Sequence, residues 1–169
     1  MKRMALTAIT FGIIAIISAV VTFRSTSTAQ EPPVDPGSVG PEGTWNFAVR
    51  TADCTTGIPT GTPPAPQLVS YAGGGVYIVE EVNVPPSRRY AGLGVWRHLH
   101  GRTYSYALKI AVFNADGTPS GTILVVGEVE HNLDDTLTSS AAGRFYNTAG
   151  DLVFSRCTSG IGTRFTGEN

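Results

Sequence analysis

The stretch TYSYALKIAVFNADGTPSGTILVVGEVE, residues 103–130, decides the fold class of this chain. Two runs of alternating residues flank Asp116-Gly117, a dipeptide that favours a tight hairpin turn when both residues are central. Such a turn pairs Tyr104 with Val129, Tyr106 with Gly127, Leu108 with Val125, Ile110 with Ile123, and Val112 with Gly121. One face of the hairpin is then continuously apolar, while the other carries Ser105, Lys109 and Glu128. The stretch predicts an antiparallel hairpin with one buried face.

The composition narrows the class of protein. The 169 residues carry a formal net charge of −1, so there is no electrostatic case for nucleic acid as a partner. The 20 glycines and 11 prolines, with few helix-forming runs, favour a β protein rich in turns. The length suits one domain with a single core.

The N-terminal region has the anatomy of a secretory signal peptide. Lys2 and Arg3 precede an uncharged run at residues 4–23, and Ser27-Thr28-Ala29 offers small residues for cleavage. An uncleaved membrane anchor is the alternative, because about 20 residues span a bilayer. Either reading predicts an exported chain, secreted or held in the periplasm or cell envelope. Residues 30–42 then form a proline-rich linker, and residues 43–169 form the folded domain.

Eight strands follow from the alternation of apolar and polar residues along the domain. The two hairpin strands are joined by predicted strands at residues 44–51, 67–71, 76–82, 93–99, 136–146 and 151–165. In meander order they predict an eight-stranded antiparallel up-and-down barrel, with a two-sheet sandwich as the alternative. The long loops at 52–66 and 83–91 share one end of this barrel, as lids or as ordered surface excursions.

The hairpin register, carried outward, predicts how the barrel closes. It places Phe145, Phe154 and Arg156 on the inner face, and it sets Trp45 beside Arg164 when the last strand pairs with the first. The same antiparallel register brings Cys54 and Cys157 together on the outer face. Two cysteines in an exported chain predict one disulfide, so this pairing supports the closure.

A family resemblance rests on a few of these residues. Gly43-Thr44-Trp45, which opens the first strand, and the late Arg164 resemble the G-x-W motif and arginine of the lipocalin and calycin barrels. The segments GVWRHLHGRTY, NADGT and GTRF also look like small lipocalin-like domains of exported bacterial proteins. The resemblance implies that Trp45 and Arg164 close one barrel end over an apolar pocket. Short second and third strands, and no C-terminal helix, depart from typical lipocalins and imply a small cavity.

The implied ligand is a small apolar or amphipathic molecule, and no cofactor is expected. Arg156 on the inner face would favour a carboxylate, with Tyr104 or Tyr106 as hydroxyl donors. A bulge or a one-residue slip that turns Arg156 outward is the alternative. Trp96 and Phe154 are further candidates, although Trp96 lies inside only for one choice of hairpin loop. Arg88, Arg89 and Tyr90 lie on a loop at the open end and would attract an anionic ligand there. The alternative is that they are ordinary exposed side chains that contact only solvent.

Other chemistry has weaker support. His98, His100 and His131 gather with Glu130 at the other end, where metal binding competes with an ordinary histidine-bearing surface, and no metal site is assigned. A catalytic arrangement is not expected at Ser139-Ser140 or at the acidic pairs Asp134-Asp135 and Glu80-Glu81, since adjacent residues on a strand point to opposite faces. Lys109 faces solvent and is not expected to act as a catalytic amine. No catalytic residue is therefore predicted. A cofactor-free isomerase or cyclase of the allene-oxide-cyclase kind, or an interaction module of the cell envelope, stays as an alternative.

Overall fold

A computed structural model describes residues 40–61, 63–82 and 90–167. These residues form eight strands: β1 Gly43–Ala52, β2 Ala65–Ala72, β3 Val76–Glu81, β4 Ala91–His100, β5 Thr103–Phe113, β6 Pro119–His131, β7 Thr136–Asn147 and β8 Leu152–Arg164. The strands form a closed barrel in sequence order, and β8 pairs antiparallel with β1. The predicted up-and-down barrel is confirmed, and the sandwich is wrong.

Several predictions fall on residues outside the described ranges. They are the signal peptide or anchor at 1–29, most of the linker at 30–42, and the arginines Arg88 and Arg89 of the loop between β3 and β4. These stay predictions. The described residues include no helix with the length and apolarity needed to cross a membrane.

The central hairpin has the predicted register but a different turn. Tyr104 pairs with Val129 and Tyr106 with Gly127. The turn, however, spans Asn114–Thr118: the Asn114 amide donates to the Thr118 carbonyl, and the Gly117 amide to the Asn114 carbonyl. Asp116-Gly117 is therefore not the central pair of a two-residue turn. A register shift between Val112 and Phe113 compensates for the longer turn, because the extra residue is absorbed as a bulge.

The barrel closes as the register predicts. Trp45 pairs with Arg164 and Ala52 pairs with Cys157 across β1 and β8. Cys54, just beyond β1, forms a disulfide with Cys157. The predicted bridge is confirmed, and it joins the first strand region to the last.

The barrel has two ends with different contents. We call the end with the start of β1 and the finish of β8 the base, and the opposite end the open end. The inward side chains of the base and middle are large and buried; they are Trp45, Phe47, Val69, Tyr71, Tyr77, Val79, Tyr104, Tyr106, Leu108, Val129 and Leu137. Alternation on each strand accounts for this core, since successive side chains point to opposite faces.

Candidate functional site

An interior cavity of about 420 Å³ lies between this core and the open end. Its volume falls in the range of pockets that hold small molecules. Most of its wall is apolar and comes from seven strands; the apolar lining includes Phe47, Val49, Val69, Val79, Leu108, Ile110, Ile123, Val125 and Phe154. Such a wall suits the hydrocarbon part of a ligand, because burial of apolar surface is favourable.

Two tyrosines and a serine make the cavity floor. The rings of Tyr77 and Tyr106 stack with centroids 4.8 Å apart, and Ser139 lies on the same wall. Burial raises the pKa of Tyr106 to about 12, and the Ser139 hydroxyl opposes part of this rise. Burial likewise raises the pKa of Tyr77. Both phenols are therefore protonated at neutral pH and keep a hydroxyl that can donate a hydrogen bond.

Glycines on neighbouring strands make room for this floor. A Cβ atom added to Gly127 would lie 2.6 Å from Cζ of Tyr106, so only glycine leaves space for that ring. A Cβ atom added to Gly160 would lie 3.0 Å from Oγ of Ser139. The match between Tyr106 and Gly127 was visible in the sequence, because the two residues oppose one another in the hairpin.

Charged side chains surround the mouth. Arg156 pairs with Gly143 in regular register on β8, and it lines the cavity although its side chain is exposed. The shift in the β7–β8 ladder falls between Phe145 and Tyr146 instead, so the alternative in which a bulge turns Arg156 outward is wrong. Phe154 also lines the cavity, and the Arg156 guanidinium carbon lies 5.7 Å from its ring centroid.

The electrostatics of the mouth favour an anion. Arg156 and the carboxyl group of Glu81 line it, while Arg50, next to inward Val49 on β1, lies at the rim with its side chain on the outer face. Within the described part of the chain, neither arginine forms an ion pair. Burial raises the pKa of Glu81, which weakens its tendency to be charged. The Arg156 guanidinium is therefore the cation that the inner face of the barrel presents at the mouth.

Two predicted ligand residues do not line the cavity. Tyr104 and Trp96 point inward but sit nearer the base, with ring centroids 5.7 Å apart, and the Trp96 indole donates to the Ala72 carbonyl. Tyr104 precedes Tyr106 by two residues on β5, a shift of about 7 Å along the strand. That shift puts Tyr104 on the base side of the Tyr77–Tyr106 floor. Both side chains pack beneath the site.

The base is closed by an aromatic–cation stack. Trp45 is fully buried, its indole Nε1 donates to the Pro41 carbonyl at 2.7 Å, and the Arg164 guanidinium carbon lies 4.2 Å from its ring centroid. The structural role that the lipocalin resemblance implies for Trp45 and Arg164 agrees with this geometry. Arg164 also donates to the Glu42 carbonyl at 3.0 Å, so the chain entering β1 is held at the same point.

Asp135 links this stack to a buried histidine. Its carboxylate accepts from Arg164 Nε at 2.7 Å and from Arg164 Nη2 at 2.8 Å, and it lies 2.8 Å from His131 Nε2. His131 is 1% exposed and packs edge-on against Trp45. Arg164, and then His131, hold the pKa of Asp135 well below its usual range. Sequence reasoning treated Asp135 only as half of an acidic pair and missed this role.

The predicted histidine cluster is not assembled. His98 Nε2 lies 3.0 Å from the Gly101 carbonyl, His100 is exposed, and His131 faces Asp135. Over the ranges that the structure describes, no three potential metal ligands come together. Glu130 is exposed on the outer face next to His131.

The residues considered for catalysis separate in space. Ser139 is buried and its neighbour Ser140 is exposed, as alternation requires. Asp134 accepts from Thr136 rather than sharing a proton with Asp135. Lys109 is exposed on the outside of the barrel. The cavity wall itself brings together apolar side chains, tyrosine and serine hydroxyls, Arg156 and Glu81.

The long loop between β1 and β2 is an ordered excursion at the mouth. The Asp53 carboxylate accepts from the amides of Thr55 and Thr56 at 2.9 and 2.8 Å, and Ala52 forms a bridge with Pro59. Pro63, further along, lines the cavity. Cys54 in this loop is bonded to Cys157, directly after Arg156, so the disulfide steadies the rim beside the arginine.

Comparison with known proteins leaves the family open. No protein-family model matches the chain, and no curated protein matches it significantly. A closed eight-stranded barrel by itself does not identify a lipocalin, because unrelated families share that shape.

Proposed function

We propose that this domain binds a small apolar or amphipathic molecule that carries a carboxylate, as a non-enzymatic carrier or receptor. The observation that supports this most directly is an apolar cavity of about 420 Å³ whose mouth holds Arg156 without an ion-pair partner among the described residues. The hydrocarbon part of the ligand would fill the cavity. Its carboxylate would bind the Arg156 guanidinium at the mouth.

The chemistry of Arg156 suits this role. A guanidinium presents paired N–H donors that match both oxygens of a carboxylate. The ring of Phe154 beneath it, 5.7 Å away, limits its positions and thereby reduces the entropy lost on binding. Together these features favour an anionic head group over a neutral one.

Export is part of the proposal. The Cys54–Cys157 disulfide is compatible with an extracellular or periplasmic location, because such bonds persist in oxidising compartments. The N-terminal 29 residues have the pattern of a signal peptide or anchor. We propose that the barrel collects its ligand outside the cytoplasm. Any membrane attachment would then be through that N-terminal segment.

Replacement of Arg156 tests the head-group contact. In Arg156→Leu, the affinity for a medium-chain carboxylate such as decanoate should fall about tenfold or more, because a charge-assisted hydrogen-bonded pair is lost. The measurement is isothermal titration of the purified domain. Lys109→Leu, on the outer face, removes the same charge away from the cavity and serves as the control. Equal losses in the two variants, or no loss in Arg156→Leu, would contradict the proposal.

Filling the cavity gives an independent test. A Cβ atom at Gly143 would meet its nearest neighbours at 3.8 Å, so a side chain can enter the cavity there without a backbone clash. Gly143→Leu should abolish binding of decanoate and of its neutral alcohol alike. If the variant is folded by circular dichroism and still binds either compound as tightly as the wild type, the cavity is not the site.

A further inference from the structure

The cavity has polar groups at both of its ends, not only at its mouth. Arg156 stands at the mouth, opposite Gly143 on β7. Ser139 and Tyr106 stand at the floor. Ser139 precedes Gly143 by four residues on the same strand, which is about 13 Å along the barrel wall. The space between these two levels is lined mainly by aliphatic side chains.

The floor groups are unusual for the bottom of an apolar pocket. Tyr77, Tyr106 and Ser139 are 5%, 7% and 9% exposed, and all three line the cavity. The Tyr106 and Ser139 hydroxyls hydrogen-bond to each other, which leaves one of their two hydroxyl hydrogens to be satisfied. An apolar chain over that hydrogen is costly, because water is displaced and not replaced by another hydrogen-bond partner. The same hydroxyls become favourable when the ligand brings its own donor or acceptor. The floor hydroxyls therefore favour ligands whose inner end carries a hydrogen-bonding group over ligands whose inner end is apolar.

From this arrangement we infer that the ligand is bipolar: a medium-length aliphatic carboxylate with a hydroxyl or carbonyl group at its far end. The carboxylate meets Arg156, and the far polar group meets Tyr106 and Ser139. The inference rests on the proposed function and adds the chemical class of the ligand to it. The separation of about 13 Å between the two levels sets the chain length, which is close to that of an extended ω-hydroxydecanoate.

Paired ligands test the inference without any mutation. Wild-type protein should bind ω-hydroxydecanoate about tenfold more tightly than decanoate, because a buried site built from hydroxyls disfavours the analogue that lacks a partner for them. Isothermal titration measures both affinities under the same conditions. Equal affinities, or tighter binding of decanoate, would overturn the inference. Because both ligands meet the same folded protein, a folding defect cannot mask the result.

A matched pair of double variants locates the effect. Tyr106→Phe with Ser139→Ala should remove the preference for ω-hydroxydecanoate, measured as the ratio of the variant's affinities for ω-hydroxydecanoate and decanoate. The control is Tyr146→Phe with Ser140→Ala, the same changes on β7 outside the cavity lining, which should keep the preference. A preference that survives loss of the floor hydroxyls would place the contact elsewhere and reject the inference.

The outcomes separate this inference from the proposed function. If both acids bind equally and both depend on Arg156, the proposed function stands and the bipolar ligand is rejected. If neither acid binds, or binding ignores Arg156, the proposed function fails and the inference fails with it. Only a preference that needs the floor hydroxyls, together with dependence on Arg156, supports both.

Discussion

At the scale of single residues, Asp135 stands out by its backbone. It is the only described residue other than glycine with a positive φ, at 58°. Residues other than glycine rarely adopt this conformation, and it persists where the surroundings demand it. In Asp135 this conformation is stabilised by the side chain, because the carboxylate contacts both Arg164 and His131 from that position. Glycine would relieve the backbone but could not make either contact.

Asp135→Asn isolates the charge of this residue. Asparagine tolerates the left-handed conformation, so the backbone should be kept while the ion pair with Arg164 is lost. We expect the free energy of unfolding at neutral pH to fall by about 1 kcal/mol, since the pair is bidentate but partly exposed. Urea unfolding measures this. Glu128→Gln, which removes a charge from the exposed outer face, should change stability much less.

The pH dependence of the unfolding free energy of Asp135→Asn tests whether the Asp135 charge is what stabilises the fold. The folded-state pKa of Asp135 lies below its usual range because of Arg164 and then His131. A carboxyl group with a depressed folded-state pKa contributes stability above its ordinary value of 3.8, and that contribution is lost as the pH falls below it. The gap between wild type and Asp135→Asn should therefore narrow from pH 5 toward about pH 2. A gap that widens on acidification would contradict this account.

At the scale of elements, three hairpin turns share one design. Each of these turns begins with an asparagine whose backbone N–H donates to the backbone carbonyl of the fifth residue; the turns are Asn114–Thr118, Asn132–Thr136 and Asn147–Asp151. The fourth residue is left-handed in every case, as Gly117, Asp135 or Gly150. This is the longer hairpin turn in which a type I turn is followed by a left-handed residue. Recognition of the repeated asparagine would have predicted it for residues 114–118.

Gly117→Ala tests that turn. Its φ of 83° is unfavourable for alanine, so the free energy of unfolding should fall by about 1 kcal/mol. Gly73→Ala is the control, because Gly73 also lies in a turn with open space around it but has no positive φ. Chemical denaturation of the two variants compares them directly. An equal cost for both would mean that backbone conformation is not what selects glycine at residue 117.

At the scale of the whole molecule, closure of the barrel joins distant parts of the chain. The β1–β8 ladder places Trp45 beside Arg164, and the disulfide spans a sequence separation of 103 residues. A closed barrel leaves no strand edge exposed for pairing with other chains. The bridge lies at the mouth of the cavity, whereas the Trp45–Arg164 stack lies at the base, so both ends of the closing seam are secured.

Removal of the bridge measures its contribution. The double variant Cys54→Ser with Cys157→Ser should lose about 2–4 kcal/mol of unfolding free energy, because the bridge limits the unfolded chain over a long loop. Wild-type protein kept in reductant should unfold at the same denaturant concentration as the double variant. If oxidised and reduced wild type unfold at the same denaturant concentration, the bridge does not stabilise the barrel. Two free thiols by mass spectrometry of unreduced protein would refute the bridge itself.

The sequence by itself determined the eight strands, the hairpin register and the closing pair of Trp45 and Arg164. It could do so because strand side chains alternate with a period of two, and a one-residue slip would turn the apolar face to solvent. Tertiary structure decided which inward residues line the cavity. Tyr104 and Tyr106 share one face of one strand, yet only Tyr106 reaches the cavity. Depth along a barrel depends on the tilt and stagger of all its strands, which no local pattern encodes.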